Sequence, residues 1–88
     1  MAEVLYADSF FEEMAQVETK RVRDNVMEAT ELLAVIPEMG SPNLPESIVS
    51  KYGHDVRKLV APPFLVLYKL LDDDHVLVLG VMHNRAAY

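Results

Sequence analysis

The chain has 88 residues, enough for one small domain. Hydrophobic residues make up 51% of it and charged residues 25%, a composition typical of a globular protein. Its formal net charge of −6, from 14 acidic and 8 basic residues, argues against a general nucleic-acid binder, which needs a basic surface for phosphates. The absence of cysteine excludes disulfides, cysteine-ligated zinc and thiol nucleophiles.

The charge is unevenly distributed along the chain. Residues 1–44 carry nine acids and three bases, whereas residues 45–88 carry five of each. A surface that binds anions is therefore expected in the second half. No apolar run approaches the roughly 18 residues of a membrane span. No basic-then-apolar signal segment opens the sequence, so we expect a cytoplasmic protein with no membrane contact.

The first predicted elements are a short strand and a helix. Residues 3–7 include Val, Leu and Tyr, which favour a strand. Ser9 followed by Glu12 fits a capping box at the start of a helix. Three apolar residues then recur at helical spacing: Phe10, Met14 and Val17.

A second set of apolar residues predicts a longer helix that ends at Pro37. Its members are spaced by 4, 3, 4 and 3 residues: Val22, Val26, Ala29, Leu33 and Ile36. A single helix over residues 9–36 would be about 42 Å long, but a compact domain of this size has a radius of gyration of only about 12 Å. The chain is therefore expected to turn back near residues 18–20, with Thr19 as a second cap.

The second half predicts strands. Residues 37–53 are rich in Pro, Gly and Ser and predict an irregular segment, which Ile48 and Val49 attach to the core. Strands follow over residues 55–60, 64–71 and 76–82. This order predicts a two-layer α+β fold, strand–helix–helix–three-stranded antiparallel meander, in a single domain over residues 1–88.

The last two predicted strands are apolar at both odd and even positions. Strands of this kind are buried on both faces of their sheet. Because the two predicted helices cover only one face, we expect a partner chain to cover the other.

Five short motifs follow one another along the chain. They are Tyr6-Ala7-Asp8-Ser9, Pro37-Glu38-Met39-Gly40, Val56-Arg57-Lys58-Leu59, Phe64-Leu65-Val66-Leu67-Tyr68-Lys69 and Val81-Met82-His83-Asn84-Arg85. In this order they resemble the RelE/ParE superfamily, the toxins of bacterial type II toxin–antitoxin systems. The resemblance implies a role in plasmid stabilization, an antitoxin partner encoded by an adjacent gene, and assembly as a homodimer or as a heterotetramer with that antitoxin.

The resemblance implies different site residues in the two branches of the superfamily. Features of the ParE-like branch, which poisons DNA gyrase, are matched by Arg57 on the second predicted strand, by Tyr68-Lys69 and by His83. We expect Arg57, Lys58, Tyr68 and Lys69 to form a binding surface. The favoured function is therefore inhibition of DNA gyrase by binding, with no enzymatic step.

The alternative is a ribosome-dependent endoribonuclease of the RelE type, which cuts mRNA without a metal ion. Its catalytic residues would be Arg85, His83 and Tyr88, because cleavage needs a base, an acid and a cation for the phosphorane charge. Leu65 stands where RNA-cleaving members typically have an arginine. This departure and the acidic composition favour the gyrase-binding branch or a member that has lost toxicity.

Two further expectations concern side-chain placement. Arg57 and Lys58 are neighbours in a predicted strand, so they should point to opposite faces of the sheet. The three histidines lie on different predicted elements without the spacing of a metal site, and His75, beside three aspartates, should be solvated. We expect no metal and no cofactor.

Overall fold

The computed structural model describes the backbone of residues 1–87 and the side chains of residues 1–85. Its elements in chain order are β1 Glu3–Tyr6, α1 Asp8–Met14, α2 Lys20–Leu32, α3 Glu46–Tyr52, β2 Val56–Ala61, β3 Phe64–Asp72, β4 His75–His83 and α4 Asn84–Ala87. The predicted α+β order of a strand, two helices and three further strands is confirmed. The helices α3 and α4 are additions to it. No helix in the described part of the chain is long and apolar enough to cross a bilayer.

The strands form one mixed sheet in the order β1-β4-β3-β2. β1 pairs in parallel with the first half of β4, and the other two pairs are antiparallel, as the predicted meander requires. The β2–β3 hairpin turns at Pro62-Pro63, whose peptide bond is cis. β1 and β2 are the two edge strands.

α1 and α2 cover one face of this sheet. Phe10 and Met14 of α1, with Val26 of α2 and Leu33 directly after it, pack on a cluster of sheet residues that includes Val66. Burial of each such side chain stabilises the fold by about 1.5–3 kcal/mol. The predicted helical stripe is therefore confirmed as far as Leu33.

The prediction that the last residue of that stripe, Ile36, lies on the buried face of the helix is wrong. Ile36 is 52% exposed, because α2 ends at Leu32 and the chain leaves the helix direction before Ile36. The predicted capping box at Ser9 is also wrong, since α1 begins at Asp8 without a side-chain cap. The predicted turn before α2 is confirmed, and Thr19 occupies the N-cap position without a side-chain cap bond.

α3 is the main departure from the predicted fold. The segment expected to be irregular contains a helix over Glu46–Tyr52, which starts after Pro45 and ends at Gly53 with a φ of 99°. Only glycine adopts such a φ readily, so Gly53 suits the helix end. Glu46 in the first turn and Lys51 in the last complement the helix dipole.

α3 covers the second face of the sheet. Ile48, the predicted anchor, packs on Val56, Leu65 and Leu67, and all four are at most 3% exposed. The expectation that a partner chain covers this face is therefore wrong for these residues, because a helix of the same chain does so. Val60, outside the reach of α3, stays 54% exposed.

The second half of β4 extends beyond the end of β1, and α1 closes its edge with side chains. The Ser9 hydroxyl donates to the carbonyl of Leu79 at 2.5 Å, and the N–H of Val81 donates to the Glu13 carboxylate at 3.1 Å. Gly80 leaves the space for this contact, because a Cβ there would overlap the Glu13 carboxylate. Two side chains thus take the hydrogen-bonding place of a neighbouring strand.

Candidate functional site

Arg57 and Tyr68, two of the predicted binding residues, hold the segment between α2 and α3. Tyr68 is fully buried, and its hydroxyl accepts a hydrogen bond from the N–H of Gly40 at 2.8 Å. Arg57 donates to the carbonyl of Gly40 at 2.9 Å and to that of Glu38 at 3.4 Å. Burial raises the pKa of the Tyr68 phenol. The two side chains therefore position residues 38–41 beside β2.

Lys58 and Lys69 lie on the other face of the sheet. Lys58 pairs with Leu67, two positions before Lys69, so the strand register makes the two lysines diagonal neighbours. Lys58 lines an open depression of about 480 Å³ together with residues 42–45. The prediction that Arg57 and Lys58 point to opposite faces is confirmed, and the predicted binding residues divide between the two faces.

His83 and Arg85 lie where β4 passes into α4. The backbone N–H of Arg85 donates to Nδ1 of His83 at 3.1 Å, and the imidazole packs edge-on against Phe64 with 5.5 Å between ring centroids. Because Nδ1 accepts this bond, the neutral imidazole carries its proton on Nε2. Both side chains are exposed. Tyr88, the third predicted catalytic residue, lies outside the described residues.

The basic side chains of the second half do not surround one point. His83 pairs with Phe64, and Lys69 is five residues further along β3, a separation of roughly 16 Å at about 3.3 Å per residue. Arg57 lies on the face opposite Lys69 and is bound to main-chain carbonyls. Stabilisation of a phosphorane requires donors that converge on the reacting phosphate. His83 and Arg85 are joined by one hydrogen bond, from the backbone N–H of Arg85 to the imidazole.

Leu65 occupies the position at which the RNA-cleaving branch is expected to carry an arginine. Its side chain is 1% exposed and packs beneath α3 with Ile48 and Leu67. Val60, its partner across β2, is exposed on the same face. The position of Leu65 is therefore part of the core.

The His75 side chain is 41% exposed, as expected, and lies between two carboxylates at the start of β4. Its Nδ1 is 2.8 Å from the Asp72 carboxylate, and its Nε2 is 3.5 Å from that of Glu3. Hydrogen bonding to Asp72 raises the pKa of His75, and the same bond lowers the pKa of Asp72. Within the described residues, no three histidine or acidic side chains are grouped as metal ligands would be.

We expect His75 to make stability depend on pH. A raised histidine pKa adds stability that is fully present below the ordinary value of 6.5 and is lost as pH rises through the folded value. A lowered Asp72 pKa adds stability that is present above the ordinary 3.8 and is lost as pH falls through the folded value. The melting temperature of the wild type should exceed that of His75→Ala most between about pH 4 and 6.5, and much less at high pH.

Thermal unfolding followed by circular dichroism across that range measures this difference. His54→Ala, a substitution at an exposed position, is the matched control and should follow the wild type at every pH. A deficit of His75→Ala that stays constant from acid to alkaline pH would contradict the ion-pair role.

A large exposed apolar surface follows the C-terminal end of α2. Its residues are 40–62% exposed: Leu32, Val35, Ile36 and Met39. Beside it, a groove of about 310 Å³ runs between α2 and the outer edge of β2, and we call it the α2–β2 groove. It is lined by Asn25, Glu28, Ala29, Leu32, Val60, Ala61 and Pro62. Exposed apolar surface is a feature that interaction sites share.

The fold is shared with solved structures, two of which are toxin–antitoxin complexes. The chain is similar to the RelBE2 toxin–antitoxin complex of Mycobacterium tuberculosis, with 20% identity, 93% of this chain and 96% of that chain covered, and a TM-score of 0.75. The RelB–RelE antitoxin–toxin complex of Methanococcus jannaschii is 13% identical, with 93% of this chain and 92% of that chain covered and a TM-score of 0.63. YafQ of Escherichia coli is 18% identical, with 100% of this chain and 99% of that chain covered and a TM-score of 0.62.

These likenesses show the fold, and a family model shows the class of protein, a type II toxin of the RelE/ParE superfamily. The family model for the ParE toxin of the type II toxin–antitoxin system parDE matches residues 5–88. The chain therefore belongs to the ParE toxin family, and the resemblance seen in the sequence is confirmed. A comparison with curated proteins finds no significant match.

Proposed function

We propose that this toxin acts in the bacterial cytoplasm by binding DNA gyrase and inhibiting it. The observation that supports binding over RNA cleavage is the dispersal of the cations: Arg57 is bound to main-chain carbonyls on one face, and Lys58 and Lys69 lie on the other. The buried Leu65 supports the same choice, because the core leaves no place for an arginine on that part of the sheet. Membership of the ParE family favours gyrase as the target.

We assign the predicted binding residues two different roles in this function. Lys58 and Lys69 are diagonal neighbours on one face and present positive charge there to an acidic surface of the target. Arg57 and Tyr68 act indirectly, because their hydrogen bonds hold residues 38–41 against the edge of the sheet.

Gyrase supercoiling in the presence of the purified chain tests the target. We expect inhibition with accumulation of double-strand breaks, and at least a tenfold higher concentration of Lys69→Glu for the same effect. Lys20→Glu is the matched control, since Lys20 is exposed on α2 and pairs with Asp24. Supercoiling that is unaffected by the wild-type chain at any concentration would overturn gyrase as the target.

One observation favours the alternative function, a metal-independent, ribosome-dependent mRNA endoribonuclease. His83 and Arg85 have exposed side chains two residues apart, and the backbone N–H of Arg85 donates to the imidazole, which leaves Nε2 of His83 available as an acid or base. Mapping of RNA ends after expression tests it: codon-linked cuts that vanish in Arg85→Ala would replace gyrase inhibition as the function. Absence of both RNA cuts and gyrase inhibition would indicate a member that has lost toxicity.

We further propose that the antitoxin, encoded by an adjacent gene, covers the exposed apolar surface that follows α2. Two of the similar solved structures are toxin–antitoxin complexes, which supports a partner of this kind. Leu32, Val35 and Ile36 are at least half exposed in the isolated chain, and their burial would favour association. Co-purification of the chain with the product of the adjacent reading frame tests the partner. Light scattering of the free chain tests for a homodimer, and light scattering of the complex tests for a heterotetramer.

A further inference from the structure

We infer that two copies of the free chain pack face to face on the part of the sheet that α3 leaves uncovered. This surface, the β1–β4 strip, consists of Leu5, Leu77 and Leu79, with Lys69 at its β3 side. The occupant is a second copy of this chain. We rely on the proposed function only for the last consequence, that the dimer hides Lys69 from the target.

α3 covers only half of its sheet face. The strand registers place one residue from each strand in a row across the sheet: Leu5, Leu77, Lys69 and Val56. Val4 and Tyr68, next to this row in sequence, pack on the α1 and α2 side, so the row itself lies on the α3 side. Val56 is fully buried, whereas Leu5 is 37% exposed. Within the described residues, neither core cluster includes Leu5 or Leu77.

Opposite charges lie on the two sides of the β1–β4 strip. Lys69 is on β3, one strand from β4, and Glu3 is on β1, one strand from β4 on the other side. Glu3 is two residues before Leu5 and therefore points to the same face. Its side chain is 67% exposed, although it lies 3.5 Å from His75. A partner of one charge sign would be repelled on one side, whereas a second copy offers both signs.

A two-fold axis parallel to β4 matches these charges. Rotation by half a turn about it places β1 of one copy over β3 of the other, at the spacing of about 10 Å between packed sheets. Leu77 then faces Leu77 of the second copy, and the aliphatic stem of Lys69 lies over Leu5 of the second copy. Glu3 of that copy is two residues along β1, roughly 7 Å away and within reach of the ammonium. The symmetry makes each contact twice.

The position of α3 fits the same arrangement. Its residue Ile48 packs on β2 and β3 and leaves β1 and the first half of β4 open. A helix is about 10 Å thick, so α3 stands as high above its own sheet as the second sheet would lie. Rotation about β4 brings the outer edge of β1 of the second copy beside α3. The helix and the strip thus form a step that receives the sheet of an identical chain.

The dimer would cover Lys69, to which we assign contact with the target. Dimer formation and target binding are then mutually exclusive, and the monomer is the inhibitory form. The free toxin is thereby restrained by its own second copy at concentrations above the dissociation constant of the dimer.

Sedimentation equilibrium of the free chain tests the dimer without gyrase or antitoxin. We expect Glu3→Lys and Lys69→Glu each to weaken association at least tenfold, because each brings like charges together, and the double variant to recover most of the wild-type affinity. Glu12→Lys makes the same charge change on α1, at an exposed position on the other side of the sheet, and should associate like the wild type.

A second pair of variants tests the apolar contact. Leu5→Lys should weaken association at least tenfold, since it faces Lys69 of the second copy. Val35→Lys introduces the same residue at a position 62% exposed after α2 and should leave association unchanged. Melting curves establish that each variant is folded. A wild type that stays monomeric overturns the inference, as do equal effects of the Leu5 and Val35 variants; failure of the double variant to recover overturns the two-fold arrangement.

Gyrase supercoiling tests the masking of Lys69. At concentrations at which the wild type is dimeric, Glu3→Lys should inhibit at least threefold more strongly, and below the dissociation constant the two chains should inhibit equally. Equal inhibition throughout overturns the masking. If neither chain inhibits gyrase, the proposed target fails, while sedimentation alone decides whether the dimer exists.

Discussion

Gly40→Ala is expected to destabilise the protein by about 3 kcal/mol or more. The added Cβ would lie 2.5 Å from the Tyr68 hydroxyl and 2.6 Å from the carbonyl oxygen of Lys58, well inside van der Waals contact. Neither atom has freedom to move away: Tyr68 is fully buried, and the Lys58 carbonyl accepts a hydrogen bond from Ser41. Relief of the overlap would separate residues 38–41 from the sheet and leave the Tyr68 hydroxyl without its partner.

Gly80→Ala is the matched control for this prediction. Its Cβ would meet the carboxylate end of Glu13, a flexible side chain that can turn toward solvent. The expected loss is the Glu13–Val81 hydrogen bond alone, about 1 kcal/mol. Urea unfolding of the wild type and both variants measures the difference. Equal stability of Gly40→Ala and the wild type would contradict the close packing described for residues 38–41.

The contacts around Gly40 change the interpretation of Arg57 and Tyr68, two of the predicted binding residues. The family resemblance assigned Arg57 and Tyr68 to a binding surface, but the structure places both in hydrogen bonds to the main chain of Gly40. Substitution of either residue would therefore alter the shape of the surface near β2 as well as its chemistry. A loss of toxicity in such a variant is evidence about target contact only when the variant keeps the wild-type fold.

The predictable parts of the fold are those in which burial repeats at a regular spacing. The sequence predicts α2 because its apolar residues repeat at helical spacing, as packing on one sheet face requires. It predicts the strands because their apolar residues form continuous runs, as burial on one or both sheet faces requires. α3 was missed because Pro and Gly dominate its surroundings. A signal was nevertheless present: Leu44, Ile48 and Tyr52 are spaced by four residues, and all three pack in the second cluster.

The remaining features depend on contacts between distant parts of the chain. Glu13 and Val81 are 68 residues apart, and Ser9 and Leu79 are 70 apart, so no local pattern indicates that these side chains close the edge of β4. The placement of Arg57 on the carbonyls of Gly40 and Glu38 is of the same kind. The sequence did predict one feature of the site. Side chains alternate between the two faces of the sheet along β2, so Arg57 and Lys58 lie on opposite faces.

Leu65→Arg is expected to destabilise the protein by about 3–5 kcal/mol, enough to unfold much of the population of a small domain. This substitution introduces the residue that RNA-cleaving relatives are expected to carry at this position. Leu65 is 1% exposed beneath α3, and its neighbours Ile48, Val56 and Leu67 are apolar. A guanidinium placed among them would lose its hydration without gaining a partner.

Two controls separate charge burial from other effects. Leu65→Met keeps the volume and polarity and should cost less than about 1.5 kcal/mol. Val60→Arg introduces the same charge directly across the β2–β3 pair and on the same face, but at a position 54% exposed, so its side chain remains hydrated and the variant should be nearly as stable as the wild type. Urea denaturation followed by circular dichroism gives all three values.

The comparison of these variants bears on the function as well as on the fold. If Leu65→Arg unfolds while Val60→Arg does not, α3 is a fixed cover of this face, and a cation at position 65 has no path to a substrate. The lack of the arginine is then a consequence of how the chain packs, and a single substitution cannot restore an RNA-cleaving site. If Leu65→Arg instead folds normally and cuts mRNA on the ribosome, α3 must move away from the sheet, and gyrase binding loses one of its two structural supports.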